Sequence, residues 1–237
     1  MMMQMDTKNI WQYDEFKQVG TDYSSREEVD IYDSRHADFR DIEAESRNIL
    51  DRFGNNINDV LLDFGSGTCT FAIQAAKRFK RVHAIDVSQV MIEHAKAKAV
   101  KAGVANIMFH HAGFLTYEHK DTPADVIVTT LAFHHLPDFW KGIALKRMCS
   151  MLKPGGFLYI HDVILEEVNS INNIQALIDK LAKDGGDLLR EDTERHFREE
   201  YSTYDWVVDE LLKRSGFQVK SKQIEGGVLG AYLCIKS

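Results

Sequence analysis

Apolar residues change their period several times along the chain, and each change marks an element. Phe39, Ile42, Ile49, Leu50 and Phe53 stand three, seven and eleven residues apart, the spacing of one helix face. They predict a helix over about 34–53 that Gly54 stops. The run DVLLDF is short and passes straight into glycines, so it reads as a strand entering a turn. TFAIQAAKRF reads as a helix and RVHAIDV as a second strand. Ser88 is placed to cap the next helix, QVMIEHAKAKAVKAG, with Gly103 as its stop. NIMFHHA and ADVIVTTLAF follow as strands three and four. A helix is predicted over 138–152, and KPGG then turns the chain into a fifth strand, FLYIHDV.

Strand and helix alternate at spacings that suit right-handed βαβ crossovers, which predicts a mostly parallel sheet covered on both faces. The pattern changes after this. A helix is predicted near 170–183, then the charged stretch REDTERHFREE, read as a solvated helix face that can border a substrate mouth. YDWVVDELLKRSGF is another helix, and the last twenty residues form two strands joined at Gly226-Gly227. The expected organisation is a single domain over 1–237. It comprises an N-terminal helical arm (1–55), a ligand-binding core (56–163), an insertion or cap (164–203), and a C-terminal helix and hairpin (204–237).

Composition narrows the classes. The 237 residues are 44% hydrophobic, enough for a substantial core, and the three prolines argue against long extended linkers. A formal charge of −7 makes nucleic acid an unlikely partner, since that task needs a cationic face. There is no run of eighteen apolar residues, so no membrane span is expected. The N-terminal stretch has neither a basic leader nor an apolar core of a secretory signal, and a cytoplasmic location is expected. Cys69, Cys149 and Cys234 form neither a disulfide framework nor a zinc spacing.

The chemistry gathers at LLDFGSGTCTF, residues 61–71. Ligands of open parallel sheets sit beyond the carboxyl ends of the strands, and glycines there let a ligand lie on the backbone. Twenty-one positions after Gly65, the second strand ends in Asp86, placed to accept both hydroxyls of a ribose. A dinucleotide fingerprint would have a third glycine at position 70, where this chain has Thr70. Asp63 would repel a pyrophosphate and suit an ammonium. The pattern therefore favours a nucleoside cofactor with a cationic amino-acid end.

VLLDFGSGTCTF, VHAIDVSQVMIEHA, HHAGFL, ADVIVTTLAFHHLPD and LKPGGFLYIHDV together resemble the ordered motifs of the class I S-adenosylmethionine-dependent methyltransferases, from about residue 58 to 162. The resemblance implies a Rossmann-like, doubly wound α/β fold, with a mostly parallel seven-stranded sheet and an antiparallel C-terminal hairpin. It implies S-adenosylmethionine as cofactor and S-adenosylhomocysteine as product. It also assigns roles. Asp63 with the Gly65, Ser66 and Gly67 backbone serves the methionine end, and Asp86 holds the ribose. Val87 and Met91 line the adenine face, Gly113 and Phe114 edge the ring, and Thr130 and Leu131 lie beside the methionine end. One departure stands out. Many relatives carry an acid at the position of Gly113 to accept from the adenine amino group, whereas here the backbone and the Phe114 ring are what that segment offers.

The expected reaction is methyl transfer to a small-molecule N, O or S acceptor by in-line displacement. A thiolate or amine acceptor needs little beyond alignment. A hydroxyl needs a base, for which His135, His161 and Asp162 are the candidates. The more ordinary reading of His135 in FHHLPD is that it braces its loop by a hydrogen bond. No metal site is expected, because adjacent histidines on strands point to opposite faces. Trp11, Tyr13, Tyr23 and Tyr32 of the arm, with the insertion at 166–203, are expected to cover the acceptor. A nicotinamide-dependent oxidoreductase and a non-catalytic S-adenosylmethionine-binding protein stand as alternatives.

Overall fold

The computed structural model describes residues 11–17, 19, 20, 25, 26, 29, 41–54 and 59–237. Tyr23, Tyr32 and Phe39 lie outside the described residues, as does the first part of the helix expected from 34. Its second part is α1 (Ile42–Asp51), where the Asp41 carboxylate accepts from the Ala44 N–H at 2.8 Å and Gly54 follows at φ +70°.

β1 (Val60–Phe64) is buried at all five positions, as expected of a strand with both faces covered. Its residues alternate between two cores. Val60, Leu62 and Phe64 face one with Ile127 and Leu158, while Leu61 faces the other with Val126 and Val128. Fully burying side chains of this size stabilises the fold by about 1.5–3 kcal/mol each. The chain continues through α2 (Thr70–Ala75), β2 (Arg81–Asp86), α3 (Gln89–Lys101), β3 (Ile107–His111) and β4 (Ala124–Thr130). Ser88 caps α3 as expected, its Oγ accepting from the Met91 N–H at 3.1 Å.

A 3₁₀ turn (Phe133–His135) and α3's successor α4 (Asp138–Met151) lead into β5 (Leu152–Leu165). Leu152 pairs with Ala124 and Phe157 with Val126, so the KPGG residues bulge out of the ladder. The cap helix α5 spans Ser170–Glu199 and kinks at Gly185 and Gly186, so it runs well beyond the expected 183. The two-residue strand β6 (Thr203–Tyr204) pairs with the end of β5. α6 (Asp205–Arg214), β7 (Phe217–Glu225) and β8 (Leu229–Lys236) complete the chain. Gly226 and Gly227 both have positive φ in the β7–β8 turn, a conformation that glycine takes without strain.

The sheet order is β3-β2-β1-β4-β5-β8-β7, with β1 to β5 parallel and β8 antiparallel to both its neighbours. This is the expected Rossmann-like α/β arrangement. Strand order reverses between β1 and β4, so a crevice opens beyond their carboxyl ends.

Candidate cofactor cleft and active site

The glycine loop after β1 is shaped by two different demands. Gly65 has φ +70°, and a β-carbon on it would lie 2.2 Å from the Ala132 Cβ, so only glycine lets the β1 and β4 loops meet. The N–H groups of Gly65 and Ser66 donate to the Ile85 carbonyl at 2.9 and 3.1 Å, locking this loop to β2. Gly67 also has positive φ, yet a β-carbon there would meet nothing within 4 Å. Its bareness faces open space in the cleft.

Asp86 borders that space. Its carboxylate accepts from the Gly67 N–H at 2.8 Å and from the Ser88 N–H at 2.8 Å, which ties the loops after β1 and β2 together. Each oxygen keeps a lone pair for a ligand hydroxyl. Burial raises the pKa of this group, and the two N–H bonds offset only part of that rise. Asp63 lies behind the cleft wall, 2% exposed, and its Oδ2 has no hydrogen-bond partner among the described residues. Burial, with the Asp86 charge adding to it, pushes the Asp63 carboxyl up to about 8. A buried carboxyl without a counter-ion is the chemistry that a ligand ammonium satisfies.

Beyond Asp86 the cleft is lined by Val87, Met91, Ala112, Gly113 and Phe114. Phe114 is held flat against Phe64, the ring centroids 5.3 Å apart. Here the structure adds a group that the segment around Gly113 does not itself carry. The carboxylate of Glu15, from the N-terminal arm, reaches this wall and accepts from the Leu115 N–H at 2.9 Å and the Thr116 hydroxyl at 2.7 Å. A β-carbon on Gly113 would lie 2.4 Å from Glu15 Oε2. The arm therefore brings an acid to the wall where the local segment has none, and Gly113 is bare because Glu15 needs the room.

The other end of the cleft is made by Leu131, Ala132, His135 and Leu136, with Tyr13 and Val19 of the arm across it. Leu131 takes φ +50°, costly for a branched side chain, and is fixed by its N–H donating to the His161 carbonyl at 2.8 Å. The Tyr13 hydroxyl donates to the His135 carbonyl at 2.9 Å, and its ring meets Tyr201 edge-on. Trp11 stacks on Trp140, outside the cleft, with centroids 6.2 Å apart. Burial, and then the neighbouring His134 charge, lowers His135 to about 4. Thr130 and His161 are paired across β4 and β5 and do not line the cleft.

Asp162, expected among the bases, is committed elsewhere. One oxygen accepts from the Ala132 and Phe133 N–H groups at 3.1 and 2.7 Å, the other from the Val163 N–H at 2.6 Å and His134 Nδ1 at 2.5 Å. Burial opposes its charge, yet His134 and these bonds hold it well below the usual carboxylate range, which makes it a poor base. His134 Nε2 lies 3.0 Å from Glu200 Oε2, and His196 Nδ1 lies 2.5 Å from the same oxygen. Burial alone would depress His134, but Asp162 and Glu200 outweigh it and raise the ring to about 9. His134 thus braces this loop against β5 and the end of the cap helix.

Residues 61–156 match the methyltransferase-domain family. A Geobacillus kaustophilus protein named as an uncharacterized methyltransferase is 31% identical over 82% of this chain and 84% of its own. The uncharacterized methyltransferase YrrT of Bacillus subtilis is 32% identical over 74% of this chain and 77% of its own. The chain belongs to the class I S-adenosylmethionine-dependent methyltransferases. The fold agrees. An S-adenosylmethionine-dependent methyltransferase structure from Clostridium acetobutylicum superposes with a TM-score of 0.68 at 15% identity, over 89% of this chain and 98% of that one.

In this methyltransferase the structure brings Gly65, Gly67, Asp86, Val87, Met91, Gly113, Phe114, Leu131 and His135 onto one cleft. Next to it lie buried Asp63 and half-buried Ser66, whose Oδ2 and Oγ have no hydrogen-bond partner among the described residues. Glu15 was missed. Its contact spans a hundred residues, and no periodicity records a bond of that reach. His196 and Glu200 were taken for a solvated face. Their four-residue spacing, which sets both on one side of a helix, was the available signal.

Proposed function

We propose that this methyltransferase acts on a small-molecule N, O or S acceptor, held at the His135 end of the cleft beneath Tyr13 and Val19. The observation that carries the reading is the roof: the arm crosses the cleft and is fastened at both ends, by Tyr13 to His135 and by Glu15 to Leu115 and Thr116. A hollow closed in this way suits a small molecule better than a nucleic acid or a folded protein surface.

Bound S-adenosylmethionine supplies a methyl group already activated for in-line displacement. The chain's own residues bind, orient and exclude water. Asp63 and the Gly65–Gly67 backbone would take the ammonium and carboxylate end, with Ser66 Oγ as a further donor. Asp86 would hold the ribose hydroxyls. Val87, Met91 and Phe114 would pack on the adenine, and Glu15 Oε2 would accept from its amino group. Leu131 closes the methionine end through its fixed backbone, while Thr130, off the cleft wall, would act there only by carrying Leu131. His135 is the imidazole on the cleft wall, so it is the group positioned to take a proton from a hydroxyl acceptor. His161, off the wall, and Asp162, fully bonded, are set aside for that role.

The test is incubation of the protein and S-adenosylmethionine with a panel of small amines, thiols, phenols and carboxylic acids, read by mass spectrometry. Formation of S-adenosylhomocysteine together with a methylated small molecule is the expected result. Transfer confined to added protein or RNA would overturn the reading. Glu15→Ala should weaken cofactor binding about tenfold, one hydrogen bond to a charged group being worth roughly 1.5–3 kcal/mol.

A further inference from the structure

The cluster of His134, His196 and Glu200 is more than an ion pair. We infer that these three residues form a binding site for one divalent transition-metal ion, of the class that accepts two imidazoles and a carboxylate: zinc, iron(II) or manganese(II). Their ligand atoms, one from each, all lie within 4.8 Å of one another. Zinc held at about 2.0–2.2 Å from each ligand would leave the ligand atoms roughly 3–3.5 Å apart. The pair His134 Nε2 and Glu200 Oε2 already stands at 3.0 Å, and the pair His196 Nδ1 and Glu200 Oε2 has to open from 2.5 Å.

Orientation supports the same assignment. Each ring turns one nitrogen toward Glu200 while the other is fixed from behind, His134 Nδ1 by Asp162 at 2.5 Å and His196 Nε2 by Ser202 Oγ at 2.8 Å. Metal-binding histidines are characteristically held in this way, with a carboxylate or hydroxyl selecting the tautomer. The glutamate is itself nearly enclosed, its side chain 6% exposed. Charge agrees as well. Two carboxylates, Asp162 and Glu200, face the cluster, and a divalent ion held between the rings balances their charge. The three ligands come from the turn after β4 and from the last turn of the cap helix and the residue after it. The ion would therefore fasten the cap to the strand ends beside the cleft, with a fourth position left for water or an acceptor heteroatom.

The test uses the full chain, stripped with a chelator and titrated calorimetrically with zinc, and with cobalt(II) for its visible absorption. One ion per chain is expected, with a zinc-dependent rise in the unfolding midpoint. His196→Ala and Glu200→Gln should each weaken binding about tenfold or more, and Ser202→Ala about tenfold through loss of its hold on His196. His110→Ala removes a ring that lies 3.0 Å from His83 between β2 and β3, away from these ligands, and should leave binding unchanged. Absence of saturable binding to the stripped wild-type protein would overturn the proposal, whatever the variants do. So would an ion that survives both ligand substitutions, or one that is lost with His110→Ala.

Discussion

Asp63 on β1 and Asp162 on β5 both lie toward the carboxyl end of the sheet and are equally hidden, 2% and 1% exposed. Their electrostatic fates are opposite. Asp162 spends both oxygens on three backbone N–H groups and the His134 ring, and its charge is held far more firmly than that of a free carboxylate. Asp63 keeps an oxygen with no partner among the described residues, and its carboxyl is pushed up to about 8. Burial is common to both, so the difference lies in who supplies the cation. The chain supplies it for Asp162, which makes that residue architecture. For Asp63 the described residues supply none, and the function proposed above gives that part to the ligand's ammonium.

The sharpest way to break this contrast is to delete each carboxylate in turn. Asp162→Ala leaves a buried imidazolium facing only Glu200 and frees three N–H groups, so it should cost about 3–5 kcal/mol in urea unfolding. Asp63→Asn removes a carboxyl whose Oδ2 has no partner among the described residues and whose burial already costs stability near neutral pH. The cofactor-free protein should then be at least as stable as wild type. If the two substitutions cost the same, the division into architecture and binding site is wrong.

A glycine pair repeats the contrast at somewhat smaller scale. Gly65→Ala drives a β-carbon against Ala132 at positive φ, and should destabilise the fold by about 2–4 kcal/mol. Gly67→Ala pays only for its backbone conformation, about 1 kcal/mol, because its β-carbon points into open space. Its loss should appear instead as at least about tenfold weaker S-adenosylmethionine binding in calorimetry, which one crowded contact readily produces. A Gly67→Ala protein that bound normally would show that no ligand lies on that backbone.

Asp86 stands between the extremes, half satisfied by two N–H groups and half open to the cleft. Asp86→Ala should weaken cofactor binding by about 1.5–3 kcal/mol with a modest loss of stability. Unchanged affinity would move the ribose elsewhere.

These residues also divide by how far the sequence discloses them. The glycine loop, Asp86 and the Ser88 cap are legible because their demands are local: a positive φ, a strand end, a capped helix start. Asp63 is read as a partner for a cation from its place two residues before the glycines, and the structure leaves its Oδ2 without a partner among the described residues. Glu15 was not, since its bond to Leu115 crosses a hundred residues. The bracing by His134 was not legible, because a short 3₁₀ turn has no period from which to read which of two neighbouring rings meets Asp162. His196 and Glu200 sit in a stretch so charged that solvation was the natural expectation. Only the fold shows Asp162 and His134 waiting opposite.

The smallest effect tests the central contrast most directly, through protons. A folded-state pKa near 8 for Asp63, against about 3.9 in the unfolded chain, means that the folded protein holds a proton there between these values. The associated stability is complete below about pH 4 and is lost as pH rises through about 8. An ammonium placed against this carboxyl favours the ionised form, so cofactor binding should expel that proton. From about pH 5 to 7, where the ligand's own amino group stays charged, the affinity of the wild-type protein should rise by up to about tenfold per pH unit. Calorimetry at one pH in buffers of different ionisation enthalpy should register the released proton. Asp86 has a raised pKa too, so the informative quantity is the difference between wild type and Asp63→Asn: the variant should show a shallower slope and release correspondingly less. Identical slopes would mean that the cofactor's ammonium does not meet Asp63, and that its unpartnered oxygen has some other cause.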